Sequence, residues 1–115
     1  MFKIHNEVRR LSANEKLQYK NEGYITGLPV FADKAKDDLN ELFVSLSSRL
    51  DNSINLNKTA QWHKASLKFY NLCRTPAILD YVEDLLGPNF FLWGGQFFLK
   101  EPKDGSVVPW HQDAQ

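Results

Sequence analysis

The sequence predicts an α+β chain in which helices come first and antiparallel strands follow. Two observations carry that expectation. Up to Leu86 apolar residues recur in blocks at spacings of three and four, as in helices that bury one face. Past Pro88 the pattern changes to aromatic runs, "NFFLWGGQFFLK" and then "SVVPWHQD" across a Pro/Gly turn, which read as two strands.

The first helix is predicted to begin at Ser12. In "SANE" the Ser12 hydroxyl can take a backbone N–H while Glu15 reaches back, and Gly23 supplies the left-handed cap that ends the helix. "YITGLPVF" follows as a short strand or extended segment, confined to a sheet edge by Gly27 and Pro29. A second helix is expected from about Asp33 to Leu50, with Leu39, Leu42, Phe43, Leu46 and Leu50 on one face. The Asn-rich stretch from Asp51 to Gln61 reads as a loop. "WHKASLKFYNL" reads as one short helix with Leu67, Phe69 and Tyr70 inward. In the next helix Thr75 caps, Pro76 takes the first turn and Gly87 closes, with Ile78, Leu79, Val82, Leu85 and Leu86 as the buried stripe. In the aromatic strand, the Gly94–Gly95 pair marks a bulge or a close backbone approach.

At 115 residues the chain is expected to be a single domain, 1–115, or part of one, mainly helical over 12–86 and strand-forming over 89–115. A lone hairpin is marginal in water, so the two aromatic strands call for sheet partners. Fourteen basic residues balance fourteen acidic ones, which gives no field to attract nucleic acid or an anionic membrane. No apolar stretch is long enough to span a bilayer or to act as a secretory signal. The single thiol, Cys73, excludes an internal disulfide framework, suits a cytoplasmic location and reads as core filler.

His111 and Asp113 carry the chemistry. On a strand, residues two apart face the same side, roughly 6.6 Å apart along the chain, so an imidazole and a carboxylate can aim at one point while Gln112 faces away. That pair, with one further His, makes the facial triad that holds non-haem Fe(II). By spacing alone, an ordinary polar contact between the two side chains is the better account of the pair.

The stretch "LLGPNFFLWGGQFFLKEPKDGSVVPWHQD" resembles the first half of the phytanoyl-CoA dioxygenase family of Fe(II)/2-oxoglutarate oxygenases. The matching parts are a "LLGP" helix end, an aromatic strand leading to a Lys, a Pro/Gly turn and "WHQD". The opening "SANEKLQYKNEGYITGLPVF" is similar to that family's start. The resemblance implies a double-stranded β-helix, or jelly roll, of which this chain holds only the first strands. It implies that His111 and Asp113 are two protein ligands of Fe(II), with 2-oxoglutarate and O₂ as co-substrates and ascorbate as an accessory reductant. The family's distal His ligand and its 2-oxoglutarate-binding Arg lie further downstream, so the chain is expected to be the N-terminal part of a longer protein or a truncated relic. Lys100 resembles the family position whose basic group helps hold 2-oxoglutarate, and Gln96 shares its strand face. A solvated strand-end Lys100 beside a gap-filling Gln96 is an equal alternative.

An Asp at position 113, in place of the small residue of halogenating relatives, implies hydroxylation of a small organic substrate. The competing expectation is a non-catalytic helical module that binds a partner. A zinc hydrolase is a weaker third, because no further ligand-type residues stand at ligand spacing. His5 and His63 read as surface residues, and Trp93, Phe97, Phe98 and Trp110 as core.

Overall fold

The computed structural model describes residues 2–51, 59–100, 102–103, 105 and 107–112. Among them are five helices: α1 (Ala13–Glu22), α2 (Ala35–Ser47), α3 (Trp62–Ala65), α4 (Leu67–Cys73) and α5 (Pro76–Leu86).

The expected strands are corrected. The described residues contain no sheet, and therefore no jelly-roll strands; an isolated antiparallel bridge pairs Ile4 with Phe31. Residues 89–100 take no helical assignment and make no ladder. The physical reason lies in what the segment rests on. Its backbone is held by a helix terminus, where the Trp62 N–H donates to the Gly95 carbonyl at 3.0 Å, and its Phe97 ring lodges among helices. A period-two aromatic run reports that one side is buried, not that a neighbouring strand buries it. The predicted second strand is described only over 107–112, where it too is unpaired.

Local signals set the helix ends. Ser12 and Glu15 form the expected capping box, and Gly23, at φ 83°, donates its N–H to the Tyr19 carbonyl. In α5, Pro76 occupies the first turn and the Gly87 N–H closes on the Glu83 carbonyl. Thr75 departs from its predicted role: its hydroxyl donates to the Leu72 carbonyl at 2.7 Å, joining α4 to α5 instead of capping. The helix expected over "WHKASLKFYNL" breaks at Ser66, which is extended and accepts from the Phe69 N–H to start α4. The break changes the helical phase, so Trp62 and Phe69 turn inward while Leu67 is exposed. Most of the predicted Asn-rich loop, residues 52–58, lies outside the described residues.

The core gathers Phe2, Ala35, Leu42, Leu46, Trp62 and Phe69, with Leu39, Leu50, Leu72, Cys73 and Phe97 packed against it. Helix α5 buries Ala77 and Tyr81 rather than the whole predicted stripe, and Leu86 at its end is exposed. The Tyr81 hydroxyl donates to the Pro29 carbonyl at 2.9 Å, which ties the 24–31 segment to α5. No helix is long and apolar enough to cross a membrane among the described residues.

Helix α1 buries no residue of its own. Charge holds it. The Asp84 side chain, only 5% exposed, accepts from Arg10, from the Leu11 N–H and from the Lys16 ammonium. Arg10 also reaches Asp80 and Glu83. These contacts, the Arg10 guanidinium foremost, hold the Asp84 carboxyl well below the usual carboxylate range. The Arg9 guanidinium, with Ser12, lowers Glu15 to about 2.

Both carboxyls titrate lower in the folded chain than unfolded, where a carboxyl titrates near about 4, so protons favour the unfolded state. Their stabilisation is complete above that value and drains as pH falls towards about 2. Thermal melts should therefore drop steeply on acidification. Asp84→Asn should melt lower than the parent at neutral pH and lose less on acidification. An unchanged acid profile in that variant would show that Asp84 does not dock α1.

Candidate functional site

The extended segment after α5 is fixed at two points. Gly95 sits so close to α4 that a Cβ there would lie 2.7 Å from Phe69 Cε1, the close backbone approach the Gly pair predicts. Phe97 then inserts its ring edge-on against Phe43 of α2 at 5.1 Å, Phe69 of α4 at 5.2 Å and Trp62 of α3 at 5.8 Å between centroids.

These anchors set the alternation along the segment. Gly95, Phe97 and Leu99 are half-buried, whereas Gln96, Phe98 and Lys100 are exposed. Gln96 and Lys100 thus share the side that faces away from the helices, as their spacing predicts. The side chain of neither makes a hydrogen bond or ion pair with another described residue. Of the four aromatics expected in the core, Phe97 alone is there. Trp93, Phe98 and Trp110 are exposed: the alternation over residues 95–100 turns Phe98 outward, and Trp93 and Trp110 lie outside that stretch.

His111 is exposed and lies in no helix or strand. Its Nδ1 lies 2.8 Å from the Pro109 carbonyl oxygen, which can only accept, so Nδ1 carries the proton and Nε2 the lone pair of the neutral ring. A metal-binding imidazole is held in this way: one nitrogen donates to a carbonyl and the other faces the metal. Asp113, the partner ligand expected from the sequence, lies outside the described residues. No group of three His, Cys, Asp or Glu side chains gathers among the described residues. The residues described here fit iron at one ligand and do not make up a whole iron centre.

The other candidates fall where packing puts them. The His5 Nδ1 accepts from the Glu7 N–H at 3.1 Å in a local turn. His63 is half-buried rather than on the surface, and its Nδ1 is buried without a hydrogen-bond partner. Cys73 packs against the core, and burial pushes its thiol pKa up, which disfavours a reactive thiolate. Gln61 went unnoticed in the sequence. It adopts a left-handed φ of 69° at the start of α3, and no Gly or Asn marks the position.

Phe97→Ala should cost about 3 kcal/mol, within the range for emptying an aromatic seat. It should also free the segment, seen as faster tryptic cleavage after Lys100. Gly95→Ala should destabilise as well, by forcing Phe69 aside. If Phe97→Ala left both melting and cleavage unchanged, the segment would not be anchored by that ring.

Comparison with family models, with curated proteins and with solved structures finds no match to this chain.

Proposed function

We propose that this chain is the N-terminal part of an Fe(II)/2-oxoglutarate-dependent dioxygenase that hydroxylates a small organic substrate in the cytoplasm. His111 and Asp113 supply two protein ligands to the iron, and Lys100 with Gln96 helps to hold 2-oxoglutarate. The remaining ligands belong to polypeptide other than these 115 residues. The observation that carries the reading is the His111 imidazole, tied through Nδ1 to the Pro109 carbonyl within the "WHQD" motif. The reading rests on that motif and that tautomer, not on a sheet. Bound iron would supply the oxidative chemistry, while this chain's residues orient it and its co-substrate. The lone thiol of Cys73 suits a reducing compartment.

The test is Fe(II) titration of the chain and its variants under anaerobic conditions. Wild type should bind Fe(II) weakly, and His111→Ala and Asp113→Ala should each weaken binding by about tenfold or more. Gln112→Ala should change it little, since in a strand-like His-x-Asp motif the middle side chain points away from the side the other two share. The 115 residues alone should release no succinate from 2-oxoglutarate. Absence of Fe(II) binding, or equal damage from all three substitutions, would sink the iron reading.

A second reading, a non-catalytic helical module that docks a partner, is favoured by one observation. Phe91, Trp93, Phe98 and Trp110 are all exposed, more aromatic surface than solvated chains usually leave open. It predicts concentration-dependent association in sedimentation velocity, reduced by Phe98→Lys, whatever Fe(II) does. A monodisperse monomer at all concentrations would count against it.

A further inference from the structure

We infer that the cleft between the N-terminal residues, α2, α4 and the start of α5 binds a small amphiphilic carboxylate. The cleft has a volume of about 540 Å³, within the range of small-molecule sites, and opens to solvent. None of its lining residues comes from the segment 89–112, so it stands apart from the iron reading.

Its charges are left over by the fold. Arg74 stacks over the Tyr70 ring, its guanidinium carbon 5.2 Å from the centroid, and has no carboxylate within 4 Å among the described residues. Stacking of that kind holds the planar fork of donors in place, and the fork matches a carboxylate's two oxygens. Lys68 on the same helix is engaged only loosely, at 3.7 Å from Glu41, with both side chains largely in water. The Asn71 amide, one turn before Arg74 in the same lining, makes no hydrogen bond with a described residue. Nearby Thr75 is not available as a donor, because its hydroxyl is spent on Leu72.

Two cations face a single anion in the lining, Asp38, which also lacks an ion-pair partner among the described residues. The balance of one positive charge suits a monoanion better than a dianion or a cation. Phe2, Ile4 and Pro76 complete the cleft with apolar surface, which takes a hydrocarbon tail and gives a free inorganic ion nothing. The head group therefore belongs beside Arg74 and the tail along Phe2 and Ile4.

Titration of the 115-residue chain with decanoate, decanol, decylammonium and decyl phosphate, followed by backbone amide chemical shifts, tests this assignment. Decanoate should bind and shift the amides of residues 71–75. Decanol should bind about tenfold more weakly, the scale of one lost charge-assisted pair. Arg74→Gln should weaken decanoate about tenfold and leave decanol unchanged, while Asp38→Asn should tighten decanoate. Opposite signs from the exposed Arg74 and the half-buried Asp38 are not expected of a general loss of structure, and far-ultraviolet dichroism checks that both variants fold. Equal binding of decanoate and decanol, indifference to Arg74→Gln, or tighter binding of decyl phosphate or decylammonium would overturn the inference.

Discussion

The ring of Phe97 is where α2, α3 and α4 meet. Phe43, Trp62 and Phe69 each come from a different helix, and each presents itself edge-on to that ring. The extended segment is thus a wedge in the helical core rather than a tail laid over it. The hydrogen bond from Trp62 to the Gly95 carbonyl fixes the wedge two residues earlier. Since side chains alternate along extended backbone, one inward ring dictates the outward direction of Gln96, Phe98 and Lys100. Every statement about the candidate co-substrate residues follows from that single insertion.

The docking of α1 on α5 is built on another principle. Helix α1 has no apolar face to bury, and isolated helices of its length are marginal in water. Exposed ion pairs contribute little singly. Asp84 differs because its carboxylate is nearly out of water and collects donors from Arg10, Leu11 and Lys16 at once. Losing that one acceptor removes three contacts at once and leaves the part-buried Leu11 N–H unmet, which is costly in a way that loss of the exposed Arg9–Glu15 pair is not. The chain therefore has an aromatic half whose stability follows packing and an ionic end whose stability follows pH.

This division explains what could be read from the sequence. Capping at Ser12, Gly23 and Gly87 involves residues within a few positions of one another, so the letters carry it directly. The close approach at Gly95 was visible as a glycine pair amid bulky neighbours, though its partner Phe69 was not. Ser66 was illegible: a serine inside a helical pattern and a serine that starts a new helix look alike. Burial of both Trp62 and Phe69 decides between them, and that is a tertiary matter. The supposed strands failed for a related reason. Alternation in "GQFFLK" reports two unlike sides, and a helical layer can make one side apolar as well as a sheet can. In the candidate site the shared side of Gln96 and Lys100 was legible from spacing. The tautomer of His111 was not, because it depends on the carbonyl of Pro109.

Exposure sets the terms on which any chemistry at His111 operates. A single imidazole in water competes poorly for a metal, since each added ligand must be held in place before it contributes. Burying aromatic side chains such as Phe98 and Trp110 is worth about 2 kcal/mol each, so whatever polypeptide covers them gains that energy. The same cover would exclude water from Lys100 and Gln96, which lie on the side of Phe98. In low dielectric the charge of Lys100 on a carboxylate strengthens several-fold over its value in water. On the proposed function, covering the aromatic side and completing a site would be one event energetically. The outward aromatics act as the driving force, and the polar residues between them gain their strength only once that force has been spent.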